Sequence, residues 1–205
     1  MKEDRSRPRI IQSRLDLKTW LERTPTVDEV RPGQCAVCQR PSRPPGKPLG
    51  LWGHGLRLRQ QRGPLSPDGK PETVEVAARR YQCRGCGAVL LVVPRGMMPR
   101  RHYAASAIAL ALALLGLLGL SPEEVRRRIS PWQIVAEAGR WPTLRRWVEA
   151  ARRGELFDRV RPSPPHFTER EVAERAAATL GALAPPGPGP PDPMAQAFLG
   201  GMCMA

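Results

Sequence analysis

Residues 81–87 read Tyr81-Gln82-Cys83-Arg84-Gly85-Cys86-Gly87, a Cys-x-x-Cys pair followed directly by a glycine. A second pair, Cys35-Ala36-Val37-Cys38, lies upstream, and together the two pairs use four of the five cysteines. Each pair can hold one side of a metal ion, and glycine after a pair suits a chain that must turn with positive φ. Four thiolates in tetrahedral geometry suit Zn²⁺. The spacing therefore predicts one structural zinc ion per chain, bound by Cys35, Cys38, Cys83 and Cys86.

This predicted site is closed, because four cysteine ligands leave no open position for a substrate water. The sequence also lacks a P-loop, a dinucleotide-binding fingerprint and the paired carboxylates of two-metal chemistry. We therefore expect no catalytic residues and no enzymatic activity. A redox dithiol or a fortuitous pairing of cysteines is the alternative to zinc.

The region between the two pairs is predicted to form strands. Extended segments are expected over 51–61, 73–81 and 88–93, and residues 62–72 contain a strong turn signal. The gap from Cys38 to Cys83 is 44 residues, longer than the usual spacing of about 15–20 for such sites. A Pro-rich loop at 39–50 and a long hairpin turn can absorb the excess. The prediction is a small four-Cys zinc ribbon of three antiparallel strands.

Basic residues concentrate in this region. The net charge of the chain is +14, which favours a polyanionic partner. Residues 35–101 carry 13 basic and 3 acidic side chains, whereas residues 163–205 carry 2 and 4. We expect the arginines of the ribbon to contact DNA phosphates. The alternative is that they lie on a soluble strand edge and only prevent its association with other strands. The candidates are Arg57, Arg59, Arg62, Arg79, Arg80 and Arg84.

The most apolar stretch covers residues 103–120, where Ser106 is the only strongly polar residue. It is slightly short for a transmembrane helix, which needs roughly 20 apolar residues, and arginines flank it on both sides. A buried helix at the centre of a small helical domain is the favoured interpretation, and a membrane segment is the alternative.

A helix-turn-helix is predicted after this stretch. Ser121 and Pro122 mark a helix start, a second helix is expected over 133–138, a turn at 139–142, and a recognition helix over 143–153. Recognition helices present basic side chains to the major groove, where arginine can bind guanine. An ordinary helical bundle with a solvated basic face is the alternative. The candidate DNA contacts in this helix are Arg145, Arg146, Arg152 and Arg153.

The ends of the chain are expected to be disordered. We expect disorder over 1–12, a short helix over 13–23 capped by Ser13, and one helix over 168–183 in a Pro-rich tail. The domain prediction is an N-terminal arm at 1–30, a zinc ribbon at 31–99, a helical domain at 100–160 and the tail at 161–205. Metal-bound thiolates and a charged N-terminus without a signal segment favour a reducing, cytoplasmic location without membrane attachment.

Several segments resemble a known class of protein. They are Cys-x-x-Cys, Trp52-Gly53-His54-Gly55-x-Arg57, Arg79-Arg80-Tyr81-Gln82-Cys83-Arg84-Gly85-Cys86, and Gly139-Arg140-Trp141-Pro142-Thr143-Leu144-Arg145-Arg146-Trp147. Over about residues 31–155 the chain resembles the N-terminal half of insertion-sequence transposases. It is also similar to short zinc-ribbon proteins encoded beside transposases and integrases. The chain lacks the acidic catalytic domain of a complete transposase.

The resemblance implies binding of double-stranded DNA at element ends or promoters. The expected function is a zinc-dependent DNA-binding protein, an accessory, regulatory or truncated transposase-like factor of a mobile element. A transposase or integrase is a candidate protein partner. The alternative is a zinc-ribbon adaptor that recruits a recombinase or the transcription machinery. The sequence leaves the DNA site and the oligomeric state open.

Overall fold

The structure is a computed structural model, and it describes residues 8–99, 101–132, 141–186 and 192–203. Within these ranges it contains a four-stranded sheet and six helices, so the expected α+β class is confirmed. The chain divides into two compact units. Unit 1 comprises Met1–Gln60 and Glu75–Pro99, and unit 2 comprises Gln61–Val74 and Arg100–Ala205.

The sheet contains the three predicted strands and one more. The predicted strands are β2 (Leu51–Gly63), β3 (Glu72–Cys83) and β4 (Val89–Arg95), and the fourth is β1 (Arg9–Asp16). The strand order is β1-β4-β3-β2. β3 pairs with β4 in antiparallel fashion, whereas β1 pairs with β4 in parallel. The sheet is therefore mixed and four-stranded, and the prediction of a three-stranded antiparallel ribbon is not confirmed.

The expected disorder over 1–12 is wrong for residues 9–12, which belong to β1. Ile10 lies opposite Leu91 and Ile11 opposite Val92. β4 is buried along nearly its whole length, so it needs a neighbouring strand on each side. The helix expected over 13–23 is shorter, α1 (Leu17–Glu22), and Asp16 caps it in place of Ser13.

α1 and the segment that follows it cover one part of the sheet in unit 1. The indole of Trp20 donates to the carbonyl oxygen of Ala77 at 3.1 Å, and the hydroxyl of Tyr81 donates to Val27 O at 2.5 Å. Trp20 and Tyr81 are both fully buried. These contacts lead the chain across the sheet to Cys35, which is how the first cysteine pair reaches the second.

Unit 2 is built around a buried helix, α2 (Ala105–Gly116). Its residues are buried apart from Leu115, so the favoured interpretation of the 103–120 stretch is confirmed. α2 packs against α5 (Glu169–Gly181) and α6 (Pro193–Cys203), which also pack against each other. Among the described residues, no helix is both long enough and apolar enough to cross a membrane.

Two further helices of unit 2 cover parts of the predicted helix-turn-helix. They are α3 (Pro122–Ile129), which begins with a complete capping box at Ser121 and Glu124, and α4 (Pro142–Arg152). The ring of Trp147 in α4 contacts those of Tyr103 and Trp141, with centroids 5.0 and 5.2 Å away. The predicted helix at 133–138 lies outside the described residues. The helix-turn-helix arrangement therefore stays a prediction.

The C-terminal region contains more structure than a tail with one helix. The predicted helix at 168–183 is α5, and its predicted capping box between Thr168 and Glu171 is present. α6 was not predicted. It packs closely because Gly200 and Gly201 bring its backbone against α5 and α2 respectively. The expectation of a disordered C-terminal end is therefore wrong for the described part of this region.

Candidate metal centre and basic groove

Each cysteine pair forms a compact loop, and the two loops have the same backbone hydrogen bonds. We call residues 35–40 the first knuckle and residues 83–88 the second knuckle. In each, the amide of the first cysteine donates to the carbonyl five residues later, and the amide four residues later donates back to the cysteine carbonyl, all at 2.9 Å. The residue four positions on has positive φ, +59° at Gln39 and +73° at Gly87. The knuckles are therefore equivalent, although their sequences differ.

The knuckles bring four sulfur atoms together. The Sγ of Cys35 lies 3.8 Å from that of Cys86, and the Sγ of Cys38 lies 3.6 Å from that of Cys83. All four sulfurs lie within 4.8 Å of one another, and all five cysteines are free of disulfide bonds. Tetrahedral ligands with Zn–S bonds of about 2.3 Å are separated by about 3.8 Å. The four cysteines can therefore bind one metal ion with little movement, across a sequence gap of 44 residues.

A line of backbone hydrogen bonds fixes the first knuckle beside the second. Ser42 N donates to Gly33 O at 2.9 Å, Gly50 N donates to Ser42 O at 2.8 Å, and Arg84 N donates to Gly50 O at 2.9 Å. Gly50 stands in the middle of this line, and a Cβ atom there would lie 2.4 Å from the carbonyl oxygen of Pro41. A glycine is therefore needed at this position for the knuckles to meet.

The thiols do not all ionise easily by themselves. Burial raises the pKa of Cys35 and raises the pKa of Cys86 to about 12. The amide of Arg40 donates to the sulfur of Cys38 and lowers its pKa to about 7. Four thiolates this close together repel one another, and a bound divalent cation removes that repulsion. The centre therefore suits a cation that keeps all four cysteines deprotonated.

A groove of about 710 Å³ lies beside the second knuckle in unit 1. Its lining includes three basic residues, Arg40, Lys47 and Arg84, and no acidic residue. Within the described ranges, none of these three side chains forms an ion pair. Arg40 also packs over Gly85, where a Cβ atom would lie 2.7 Å from its side chain. The groove is therefore a concave, positively charged surface held in shape by the cysteine loops.

The predicted DNA contacts of unit 1 fall into two groups. Arg57 and Arg84 are exposed, and Arg80 is partly exposed. Arg79 donates from Nε to Pro25 O at 2.7 Å, so it holds the covering segment on the sheet. Arg59 is partly buried, and burial together with the nearby charge of Arg57 lowers its pKa.

The predicted contacts of unit 2 also differ in exposure. Arg145 has 82% of its side chain exposed, and Arg146 is also exposed. Arg152 donates to Phe167 O at 2.8 Å, Arg153 forms an ion pair with Glu155 at 3.0 Å, and the guanidinium of Arg62 lies 4.4 Å from the ring centroid of Trp132. Arg145 also forms an ion pair with Glu169 at 3.7 Å, and Arg146 donates to Pro142 O at 3.3 Å. All five arginines therefore have a partner within the unit, although Arg145 and Arg146 stay exposed.

Sequence reasoning missed Arg40 and Lys47 as parts of a basic surface. Arg40 lies two residues after the first cysteine pair, and Ala88 lies two residues after the second. An alignment of the two pairs therefore indicates that Arg40 lies beside the metal centre. Lys47 lies in a Pro-rich loop, and nothing in its sequence context indicated that this loop returns to the metal centre.

Comparison with known proteins gives no further guide to this site. No protein-family model, curated protein or solved structure matches the chain. The cysteine cluster and the basic groove beside it are therefore the observations from which function is inferred.

Proposed function

We propose that this chain is a zinc-dependent DNA-binding protein whose basic groove holds the phosphates of double-stranded DNA. The observation that carries the proposal is the groove beside the second knuckle, lined by Arg40, Lys47 and Arg84 without an acidic residue. Three other arginines of unit 1 do have carboxylate partners: Arg23 pairs with Glu29, and Arg31 and Arg43 pair with Asp28. Unpaired cations on a concave surface favour an external polyanion.

Zinc is the metal that best suits four thiolate ligands, because it accepts soft donors and tetrahedral geometry without a redox change. We expect about one zinc ion per chain by elemental analysis of the purified protein. A wild-type chain that is folded and free of metal would contradict this part of the proposal.

A second contact is proposed for α4. The exposed Arg145 and Arg146 lie near its N-terminal end, the part of a recognition helix that approaches base edges. In this proposal the groove supplies affinity and α4 supplies sequence preference. Replacing both arginines by alanine is expected to reduce the preference for one duplex sequence over others.

The role of an accessory, regulatory or truncated transposase-like factor of a mobile element rests on the sequence resemblance alone. A transposase or integrase is the proposed partner for that role. Genes adjacent to this one would test it, because a neighbouring transposase or integrase would support the role and its absence would oppose it.

The groove is tested by the salt dependence of duplex binding. Each protein–phosphate contact contributes about 0.9 to the slope of log K against log salt concentration. We expect Lys47→Ala and Arg84→Ala each to lower that slope by about 1, measured by fluorescence anisotropy with a labelled duplex.

Arg43→Ala is the matched control, because it removes the same charge from an exposed side chain that is paired with Asp28. We expect it to change the slope much less. Equal effects of the three substitutions, or no duplex binding by the zinc-loaded protein at about 50 mM salt, would reject binding through the groove.

A further inference from the structure

β2 is one of the two edge strands of the sheet, and it carries two exposed leucines in its middle. Leu56 and Leu58 are 48% and 64% exposed, and no strand follows β2 in the described sheet. Because side chains alternate along a strand, the two leucines share one face and Arg57 and Arg59 share the other. A long edge with exposed apolar residues is a site where another strand adds, and native proteins rarely leave one bare.

Among the described residues, the charges of Arg57 and Arg59 are not balanced by a carboxylate. β2 contains no acidic residue. In the described parts of the chain, neither Arg57 nor Arg59 has an ion-pair partner, and the Nη1 atom of Arg59 is buried without a hydrogen bond. Burying part of a guanidinium without a counter-charge is costly, and burial is the main cause of its lowered pKa. A carboxylate brought beside this strand would supply the missing charge.

β2 already accepts an extended segment at its far end, within unit 2. There Arg62 N donates to His102 O at 2.7 Å, Ala104 N donates to Arg62 O at 3.1 Å, and Arg62 forms a parallel bridge with Tyr103. Backbone addition to β2 is therefore compatible with the conformation of the strand.

We propose that the 56–59 segment of β2 binds an extended segment of a partner protein by strand addition, and that the partner segment alternates apolar and acidic residues. Side chains directly opposite each other in a sheet lie on the same face. Apolar residues of the partner therefore face Leu56 and Leu58, and its carboxylates face Arg57 and Arg59. This role is separate from DNA binding by the groove and does not depend on it.

A second copy of this chain is a poor occupant. If β2 paired with β2 of a second copy, arginines of the two strands would lie close together with no acidic residue between them. Like charges opposite each other across strands are destabilising. The arginines therefore act against self-association and in favour of an acidic strand.

The experiment uses the zinc-loaded, full-length protein and a fluorescent seven-residue peptide in which valines and glutamates alternate between two terminal threonines. Two peptides of identical charge are the controls, one with alternate backbone amides methylated and one with the glutamates grouped at one end. We expect saturable binding of the alternating peptide only, because the controls lose either the backbone hydrogen bonds or the alternation of faces.

Leu58→Glu is expected to weaken peptide binding by about tenfold or more, whereas Leu118→Glu, at an exposed leucine of unit 2, leaves it unchanged. Arg59→Glu is expected to weaken binding of the glutamate peptide and to restore binding of a peptide with lysines in place of the glutamates.

Zinc content and circular dichroism verify that each variant is folded. Arg84→Ala, which tests the groove, is expected to leave peptide binding intact.

Three results would overturn the proposal. One is equal binding of the methylated or grouped peptide, which would indicate simple attraction to a basic protein. Another is an equal loss in Leu118→Glu. The third is competition by a single-stranded oligonucleotide whose own binding is weakened by Leu58→Glu. That result would indicate that this strand binds nucleic acid.

Discussion

The two knuckles differ at the residue that turns the chain after the second cysteine. Gly87 holds a φ of +73° in the second knuckle, and Gln39 holds +59° in the first. Residues with a Cβ atom are disfavoured in this region, whereas glycine is not. Metal coordination is therefore expected to maintain a conformation at Gln39 that the residue itself opposes.

Gly87→Ala is expected to lower the free energy of unfolding of the zinc-bound protein by about 1–2 kcal/mol. No atom lies within 4 Å of the site of a new Cβ, so the loss comes from backbone conformation. The measurement is urea unfolding at a fixed free zinc concentration, since bound metal contributes to the apparent stability.

Gly33→Ala provides the matched control, because its Cβ also enters open space and its φ is not positive. We expect it to change the unfolding free energy by less than about 0.5 kcal/mol or to raise it slightly. If both variants lost similar amounts of unfolding free energy, the effect at Gly87 would not come from its positive φ.

At the scale of elements, β4 and α6 show how neighbours determine structure. The run Val89-Leu90-Leu91-Val92-Val93 is apolar on both faces, which is typical of a central strand. A central strand has a neighbour on each side, so this pattern indicates a second neighbour for β4. The pattern does not show that the neighbour is Arg9–Asp16, because that segment is basic and only partly apolar. α6 gave a weak signal because its two consecutive glycines disfavour an isolated helix.

Gly200→Ala is expected to destabilise unit 2 by about 1–3 kcal/mol. The new Cβ would lie 1.8 Å from the carbonyl oxygen of Leu180, so α6 would have to move away from α5. Thermal unfolding followed by the helical circular dichroism signal measures the effect.

Gly181→Ala tests the same pair of helices without a clash, because its nearest atom, in Gln196, is 3.6 Å away. Alanine is the better helix former, so stability is expected to be unchanged or higher by up to about 1 kcal/mol. If Gly200→Ala were also tolerated, the close approach of α5 and α6 would not limit stability.

At the scale of the whole molecule, the metal centre belongs to unit 1 and the buried helix α2 belongs to unit 2. Metal binding and folding are coupled in small sites of this kind, because the unfolded chain has no preformed ligand set. We expect a helical core with its own buried residues to fold without that metal.

Cys83→Ser is therefore expected to abolish stoichiometric zinc binding and to unfold unit 1. Hydrogen exchange followed by mass spectrometry should show loss of protection in β1 and β4, with α2 and α5 still protected. Cys203→Ser, at a cysteine of α6 outside the cluster, is expected to keep both zinc and protection. Full zinc content in Cys83→Ser would contradict the assignment of this ligand.

The amino-acid sequence by itself determined the local features: the four cysteines, the strands β2 to β4, and the helix starts at Ser121 and Thr168, because turn, cap and metal-binding residues act over a few positions. Only the tertiary structure decided that β1 joins the sheet in parallel and that α6 packs on α2. It also decided which arginines are engaged: Arg79 and Arg152 donate to backbone carbonyls, whereas Arg57 and Arg84 stay exposed. These outcomes depend on residues that are far apart in the chain, and no local pattern records such contacts.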